Sequence, residues 1–303
     1  MISLMIEKNN SVNMIIVKIS GGLGNQLFQY TFGQYVAKKT NKDVVYDIQT
    51  DLRIANFTPR TLALLNFNLE LNVATEKDIR KMRFFSKKSF QRIERKLVQL
   101  YPFLNKKYKV EKNFHSEFIQ DVKDNCYYDG YWQSFKYLDL NESLLRSQMV
   151  LDAYSLKNKA ELIDRISNSQ SVSIHIRRGD YISIKANSSI FNLCSLEYYS
   201  NAINYINSSF PNAQYYIFSD DIEWTKLHFI GDQYLFMDGN EPIEDLYMMS
   251  LCKHNIIANS TFSWWSAWLN QDRNKIVIAP KQWYVGKQND FIQELIPNKW
   301  IQM

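Results

Sequence analysis

From Met14 onward the chain alternates short apolar runs with longer segments whose apolar residues recur every three or four positions. Met14-Ile-Ile-Val-Lys-Ile19 is a β-branched run that predicts a strand, and Leu27–Lys39 has helical periodicity. Between them lies Ser20-Gly21-Gly22-Leu23-Gly24-Asn25-Gln26, a glycine-rich turn. Asp43–Ile48 predicts the next strand, at the spacing of a βαβ unit. The following hundred residues are less regular, with helical stretches at Leu138–Leu145 and Lys157–Ile166. The second half alternates cleanly. Strands are predicted at Val172–Ile176, Tyr215–Phe218, Tyr234–Met237, Asn255–Ala258 and Lys275–Ala279. Helices are predicted between them at Leu196–Asn207, Asp221–His228, Glu241–Cys252 and Phe262–Leu269.

Buried apolar strands separated by helices imply an α/β fold with parallel, doubly wound sheets. The boundary falls near residues 147–156, dividing the chain into Rossmann-like domains at 14–150 and 151–303 that are expected to face each other across a central cleft. Residues 1–13 read as a flexible extension or an upstream start, because Met14 directly precedes the first strand.

Composition narrows the class. A chain of 303 residues with 46% hydrophobic and 22% charged residues is that of a globular protein. Three widely spaced cysteines, Cys126, Cys194 and Cys252, form neither a disulfide framework nor a zinc module and suit a reducing cytoplasm. No apolar run reaches the roughly 18 residues of a membrane helix, and the first residues lack the pattern of a secretory signal. Charge is uneven: Lys77 to Lys112 holds thirteen basic residues against Asp78, Glu94 and Glu111, a local +10 in a chain of net +5. Interleaved Met82, Phe84, Phe85, Phe90, Ile93, Leu97 and Leu100 suggest amphipathic helices. A solvated helical face, a surface for anionic lipid on the inner face of the cell membrane, and a nucleic-acid patch are all open. No nucleic-acid motif accompanies the charge, so nucleic acid is not an expected partner.

Candidate chemistry gathers where strands end. In Ser171-Val-Ser-Ile-His175-Ile-Arg177-Arg178-Gly179-Asp180-Tyr181, Val172, Ile174 and Ile176 alternate with His175 and Arg177 before Gly179 breaks the strand. Imidazole and guanidinium groups at the carboxyl end of a strand suit an anion, phosphate above all. The plainer possibility is that Arg178 and Asp180 only pin a loop. Ser219-Asp220-Asp221 ends another strand, and Asn259-Ser260-Thr261 precedes a helix, where hydroxyls and N–H groups either bind an anion or merely cap. Asp245 lies on the preceding helix, facing a nucleobase or water. The chain lacks Asp-x-Asp, so arginines rather than a metal ion are expected to neutralise a diphosphate. Tyr131 and Trp132 either stack on a sugar or anchor their loop, and Trp264, Trp265 and Trp268, at helical spacing, read as core.

Gly21-Gly-Leu-Gly-Asn-Gln-Leu-Phe-Gln29, His175-Ile-Arg-Arg-Gly-Asp-Tyr181, Phe218-Ser-Asp-Asp221 and Asn259-Ser-Thr-Phe-Ser-Trp-Trp265 resemble, in order, the motifs of the α-1,2-fucosyltransferases of glycosyltransferase family 11. Gly130-Tyr-Trp-Gln-Ser134 and Cys194-Ser-Leu-Glu-Tyr-Tyr199 resemble bacterial members that build O-antigen or blood-group-like glycans. The resemblance implies a GT-B fold, GDP-fucose as donor, and inverting, metal-independent transfer to a galactose 2-hydroxyl on a glycan, lipid-linked in one version. It assigns Arg177 to the β-phosphate and His175 to guanosine. Asp245 would read guanine and Ser260, Thr261 and Ser263 would line the diphosphate. Asn25, at the Gly22/Gly24 turn, would touch fucose or the leaving group. Arg178 and Asn259 belong to the same motifs. Candidates for the base are Asp180, Asp220 and the acidic residues of the first half. Other GT-B enzymes, O-fucosyl or heptosyl, are the nearest rivals. A nicotinamide-dependent enzyme is a remoter one, since Leu27 occupies the third glycine position of its fingerprint.

Overall fold

The computed structural model describes residues 14–48, 61–85, 88–111, 119–150, 158–183 and 190–303. The expected N-terminal extension at 1–13 lies outside them. The chain forms two compact units, Met1–Val150 and Leu151–Met303.

In the first unit, strands β1 (Ile15–Lys18), β2 (Val44–Asp47), β3 (Tyr108–Val110) and β4 (Tyr127–Asp129) form a parallel sheet in the order β2-β1-β4-β3. Helix α1 (Leu23–Thr40) starts four positions before the apolar periodicity suggests. Gly21 takes a left-handed φ of 80°, which a side chain would resist, and Gly22 is the extended N-cap from whose carbonyl Gln26 N–H takes up the helical ladder at 3.0 Å. Most of α1, from Leu23 to Val36, is buried, so it carries no clear polar stripe. Strands β3 and β4, of three residues each, are too short for periodicity to reveal.

Aromatic packing fills this unit. Trp132 stacks on Phe32 at 4.3 Å and is 1% exposed, so it anchors the loop after β4 and is not a sugar platform. Beside it lies a lattice of buried charges. Arg83 pairs with Glu94 at 3.2 Å and lies over the rings of Tyr108 and Tyr127. Those phenols donate to Asp129 and Asp47 respectively, each at 2.6 Å. Lys18 and Arg95 complete the set on Asp129, at 3.6 and 3.5 Å.

The basic region forms helix α2 (Glu76–Met82), capped reciprocally by Thr75 and Asp78, and helix α3 (Lys88–Leu100). Helix α3 is amphipathic, as the sequence suggests, but its apolar stripe faces outward. Met82 and Val98 are buried, but Phe84, Phe85, Phe90, Ile93, Leu97 and Leu100 are exposed. The inward side of α3 is given to Glu94 and Val98, because Arg83 must be neutralised inside.

Among its described residues the second unit has helix α4 (Ala160–Asn168) ahead of a sheet of six strands in one run. These are β5 (Ser171–Ile176), β6 (Gln214–Ser219), β7 (Tyr234–Met237), β8 (His254–Ile256), β9 (Val277–Ala279) and β10 (Ile301–Gln302). All ladders are parallel, in the order β10-β9-β8-β5-β6-β7. That is the order of a Rossmann sheet, with its reversal between β5 and β8. Alternation sorts the faces as the sequence predicts. Val172, Ile174 and Ile176 pack with Tyr215, Ile217 and helix α5 (Leu196–Ser209). Tyr216 and Phe218 pack with α4 and with Met248 and Met249 of helix α6 (Pro242–Leu251) on the other face. Trp264, Trp265 and Trp268 of helix α7 (Thr261–Leu269) are core.

Among the described residues no helix is long and apolar enough to cross a membrane. The three cysteines carry unpaired thiols. One prediction concerns the inner charge lattice. Glu94→Ala strands the Arg83 guanidinium inside the first unit and should cost about 3–5 kcal/mol in urea unfolding. Arg83→Met/Glu94→Leu should restore most of that stability.

Candidate functional site

In the second unit the reversal of strand order opens the carboxyl edge between β5 and β8, where a doubly wound sheet receives its ligand. The residues that follow those strands meet there. His175, on the last turn of the β5 pleat, is 5% exposed and its Nδ1 lies 2.9 Å from Ser263 Oγ of α7. The Ser263 hydroxyl also faces the carbonyls of Ser260 and Ala258, at 3.3 and 3.4 Å. Burial, with the Arg177 charge adding to it, holds the His175 pKa down at about 3. The imidazole is therefore neutral at physiological pH and acts as a hydrogen-bonding group, not a cation.

The cations are the arginines that follow. Arg177 Nη1 pairs with Asp220 Oδ2 at 3.0 Å, both side chains being about a quarter exposed (23% and 25%). Asp220 Oδ1 accepts the backbone N–H of Arg178 at 2.8 Å. This carboxylate thus ties the end of β6 to the turn after β5. Gly179 permits the approach, since a Cβ there would stand 2.9 Å from Asp220 Oδ2. Arg178 turns the other way. Its guanidinium lies 3.8 Å above the Trp224 ring and its Nε contacts Asp221 Oδ2 at 3.2 Å. Asp221 in turn caps the helix Ile222–His228 through Trp224 N–H. Arg178 is a loop anchor, as the plainer reading of that residue has it, although its partner is Asp221. Asp180 lies on the short helix Gly179–Ser183, and its side chain falls outside the described residues.

Beyond β8, Ser260 is the N-cap of α7 and accepts from Phe262 N–H at 3.3 Å. Thr261 opens the helix and is half-buried. With no acidic residue in its first turn, this helix end keeps a positive field toward the strand edge. Asn259 is 1% exposed, and its amide donates to the carbonyls of Asn192 and, at 2.9 Å, Trp283. It shapes the turn from behind, which sets it apart from the ligand-facing role that its motif suggests. Asp245, on α6, accepts from Asn240 at 2.9 Å. Burial raises its pKa to about 6, with the neighbouring Glu244 charge adding to the rise.

In the first unit the glycine turn supplies a second such edge. Gly22 faces open space and Gly24 lies buried in the first turn of α1. Asn25 accepts from Gln133 Nε2 at 2.9 Å. Two glutamines hold this turn. Gln26 donates to the carbonyls of Gly21 and Thr61, at 2.9 and 2.8 Å. Gln29 receives Ser20 N–H at 2.8 Å and donates to Gly130 O at 2.9 Å, joining the ends of β1 and β4. Neither stands among the expected site residues, although both lie inside the quoted motif three positions apart on the helix. Tyr181 was likewise unforeseen: its hydroxyl donates to Asn259 O at 2.9 Å and ties the turn after β5 to the turn after β8. Among the described residues no group of three or more His, Cys, Asp or Glu side chains is placed to hold a metal ion.

Comparison with known proteins places the chain in a family. An alpha-1,2-colitosyltransferase of Escherichia coli is 32% identical, over 96% of this chain and 99% of its own length. The O-antigen biosynthesis glycosyltransferase WbnK of Escherichia coli is 30% identical, over 94% and 99%. A galactoside 2-alpha-L-fucosyltransferase of Caenorhabditis elegans is 28% identical over 49% of this chain and 44% of its own. In fold, the chain is similar to crystalline NodZ alpha-1,6-fucosyltransferase soaked with GDP-fucose, with a TM-score of 0.50, 13% identity, and coverage of 85% and 92%. The sequence profile described as Glycosyl transferase family 11 matches residues 14–303, and the chain belongs to that family.

Proposed function

We propose that this glycosyltransferase moves L-fucose from GDP-fucose to the 2-hydroxyl of a terminal galactose, forming an α-1,2 linkage in an O-antigen or related surface glycan. The observation that carries the reading is the cross-strand arrangement at the β5/β8 reversal. A neutral His175 is bonded to Ser263 beside the Arg177 guanidinium, at the edge where a Rossmann sheet takes a nucleotide. The α-1,2 linkage and the surface-glycan setting draw on what the full-length relatives are named for, and galactose on the Caenorhabditis elegans relative. A GT-B arrangement, action on the cytoplasmic side and a lipid-linked acceptor belong to the same proposal.

In this mechanism the acceptor oxygen attacks fucose C1 as the bond from C1 to the diphosphate oxygen breaks. Inversion follows from a single displacement. The acceptor proton leaves to a base, and GDP departs with the extra negative charge. Arg177 receives that charge at the β-phosphate, its fork matching the oxygens better than an ammonium would. The N-terminus of α7, with Ser260 and Thr261, faces the rest of the diphosphate. Ser263 is fully buried, with its hydroxyl spent on His175 and two carbonyls, and positions the imidazole instead of lining the diphosphate as its motif suggests. His175 contacts guanosine, Asp245 accepts from the guanine edge, and Asn25 at the Gly22/Gly24 turn attends the sugar or leaving group. The mechanism invokes no metal, since it gives charge neutralisation to the arginines, which also hold both carboxylates at the end of β6. Asp220 is committed to Arg177 and the Arg178 N–H, so it suits positioning better than proton abstraction.

The full-length colitosyltransferase relative favours one second reading, GDP-colitose as donor. Colitose is L-fucose without its 3-hydroxyl. A site that hydrogen-bonds this hydroxyl should prefer fucose by about 10,000-fold in kcat/KM, whereas an apolar pocket shaped for colitose should reject fucose by only about 100-fold.

Three tests follow from this chemistry. Purified protein given GDP-fucose with a panel of β-galactosides, products assigned by NMR, should form a fucosyl-α-1,2-galactose linkage, and GDP-colitose run in parallel reports the donor preference. If GDP-fucose is not consumed with any acceptor, water included, the proposal fails. Arg177→Ala should lower transfer by about 100-fold or more, and Arg177→Lys should not restore it. Asp245 gives a pH signature. Its carboxyl is neutral below about pH 6 and anionic above, and only the anion accepts both guanine N–H groups. GDP affinity should therefore rise as pH rises from about 5 to 7, by up to about tenfold per unit below the pKa, and Asp245→Asn should flatten that slope. Calorimetric titration with GDP reads it.

A further inference from the structure

The first unit carries a second surface, unrelated to the transfer chemistry. Phe90, Ile93, Leu97 and Leu100 of α3 are spaced to form one stripe, and all are exposed, Leu100 at 70%. The chain then turns through Tyr101-Pro102-Phe103-Leu104, where Phe103 is 71% exposed. Ahead of α3, the exposed rings of Phe84 and Phe85 continue the patch, Phe85 meeting Phe90 at 5.7 Å. Soluble chains seldom leave so many large apolar side chains side by side in water, and such a patch marks a contact.

Charge says what the contact is with. Arg92 and Lys96, spaced as a neighbouring stripe on α3, are exposed, as are Lys106 and Lys107 just beyond the turn. The acidic residues of this region are withdrawn. Glu94 is buried on Arg83, and buried Glu111 accepts the backbone N–H groups of Tyr131 and Trp132. Asp78 is occupied with the Thr75 cap and Lys81. What faces water is an apolar stripe beside an almost purely cationic one. A second copy of the same face would bring like charges together, whereas an anionic bilayer meets both stripes at once. We propose that α3 and the Tyr101–Leu104 turn lie in the interface of a membrane bearing anionic lipid, with the apolar stripe among the acyl chains and the basic stripe among the headgroups. This does not depend on the donor or acceptor proposed above.

The test is sedimentation of the full-length protein with vesicles of phosphatidylcholine alone or mixed with phosphatidylglycerol. Uptake should require phosphatidylglycerol and fall in about 0.5 M salt, where charges are screened beyond roughly 4–5 Å. Each basic residue contributes roughly fivefold, so Arg92→Gln/Lys96→Gln/Lys106→Gln should lower partitioning by about a hundredfold. Phe90→Ser/Leu97→Ser/Leu100→Ser should abolish it while leaving the melting temperature and transfer to a soluble β-galactoside unchanged. Equal uptake by both vesicle types overturns the proposal. So does an absence of uptake accompanied by self-association that the serine variant dissolves, by binding to an RNA oligomer, or by neither.

Discussion

Every ladder between the named strands of either sheet is parallel, and this places all carboxyl strand ends of a sheet along a single edge. In the second unit the strand order also reverses, between β5 and β8. Chain leaving β5 turns one way and chain leaving β8 the other, and a gap opens that side chains must bridge. His175 and Ser263 bridge it with one hydrogen bond, Tyr181 and the Asn259 carbonyl with another. The proposed nucleotide site is built on that gap. The first unit solves the same problem between β1 and β4 with Gln29.

The second half was legible because its elements are long and periodic. Val172 to Ile176 alternates faces as a strand must, and each predicted strand and helix there is found within a few residues of its predicted ends. The first half hid two strands, because three residues of Tyr-rich sequence at Tyr108 and Tyr127 carry no period. It also hid the orientation of α3. A periodicity argument assumes that the apolar side goes inward, and a single buried arginine reverses that by claiming the inward position for Glu94.

At the candidate site, residue types marked strand ends that the fold brings to one edge, but not how labour is divided within a motif. Adjacent Arg177 and Arg178 look alike in sequence. Only their partners, Asp220 at the turn for Arg177 and Trp224 with Asp221 for Arg178, tell them apart. Gln26 and Gln29 passed unnoticed because a glutamine on a helix carries no signal of its target.

The withdrawal of Glu94 and Glu111 has a consequence for how the whole molecule behaves as an electrical object. The net +5 of the chain is the balance between +10 in residues 77–112 and a negative remainder spread over everything else. Because the acids of that stretch are spent internally, the two signs do not mix on its surface. A matrix that meets the described surface of this stretch meets a more basic face than the net charge implies, and an isoelectric point, which averages over the whole chain, does not describe it.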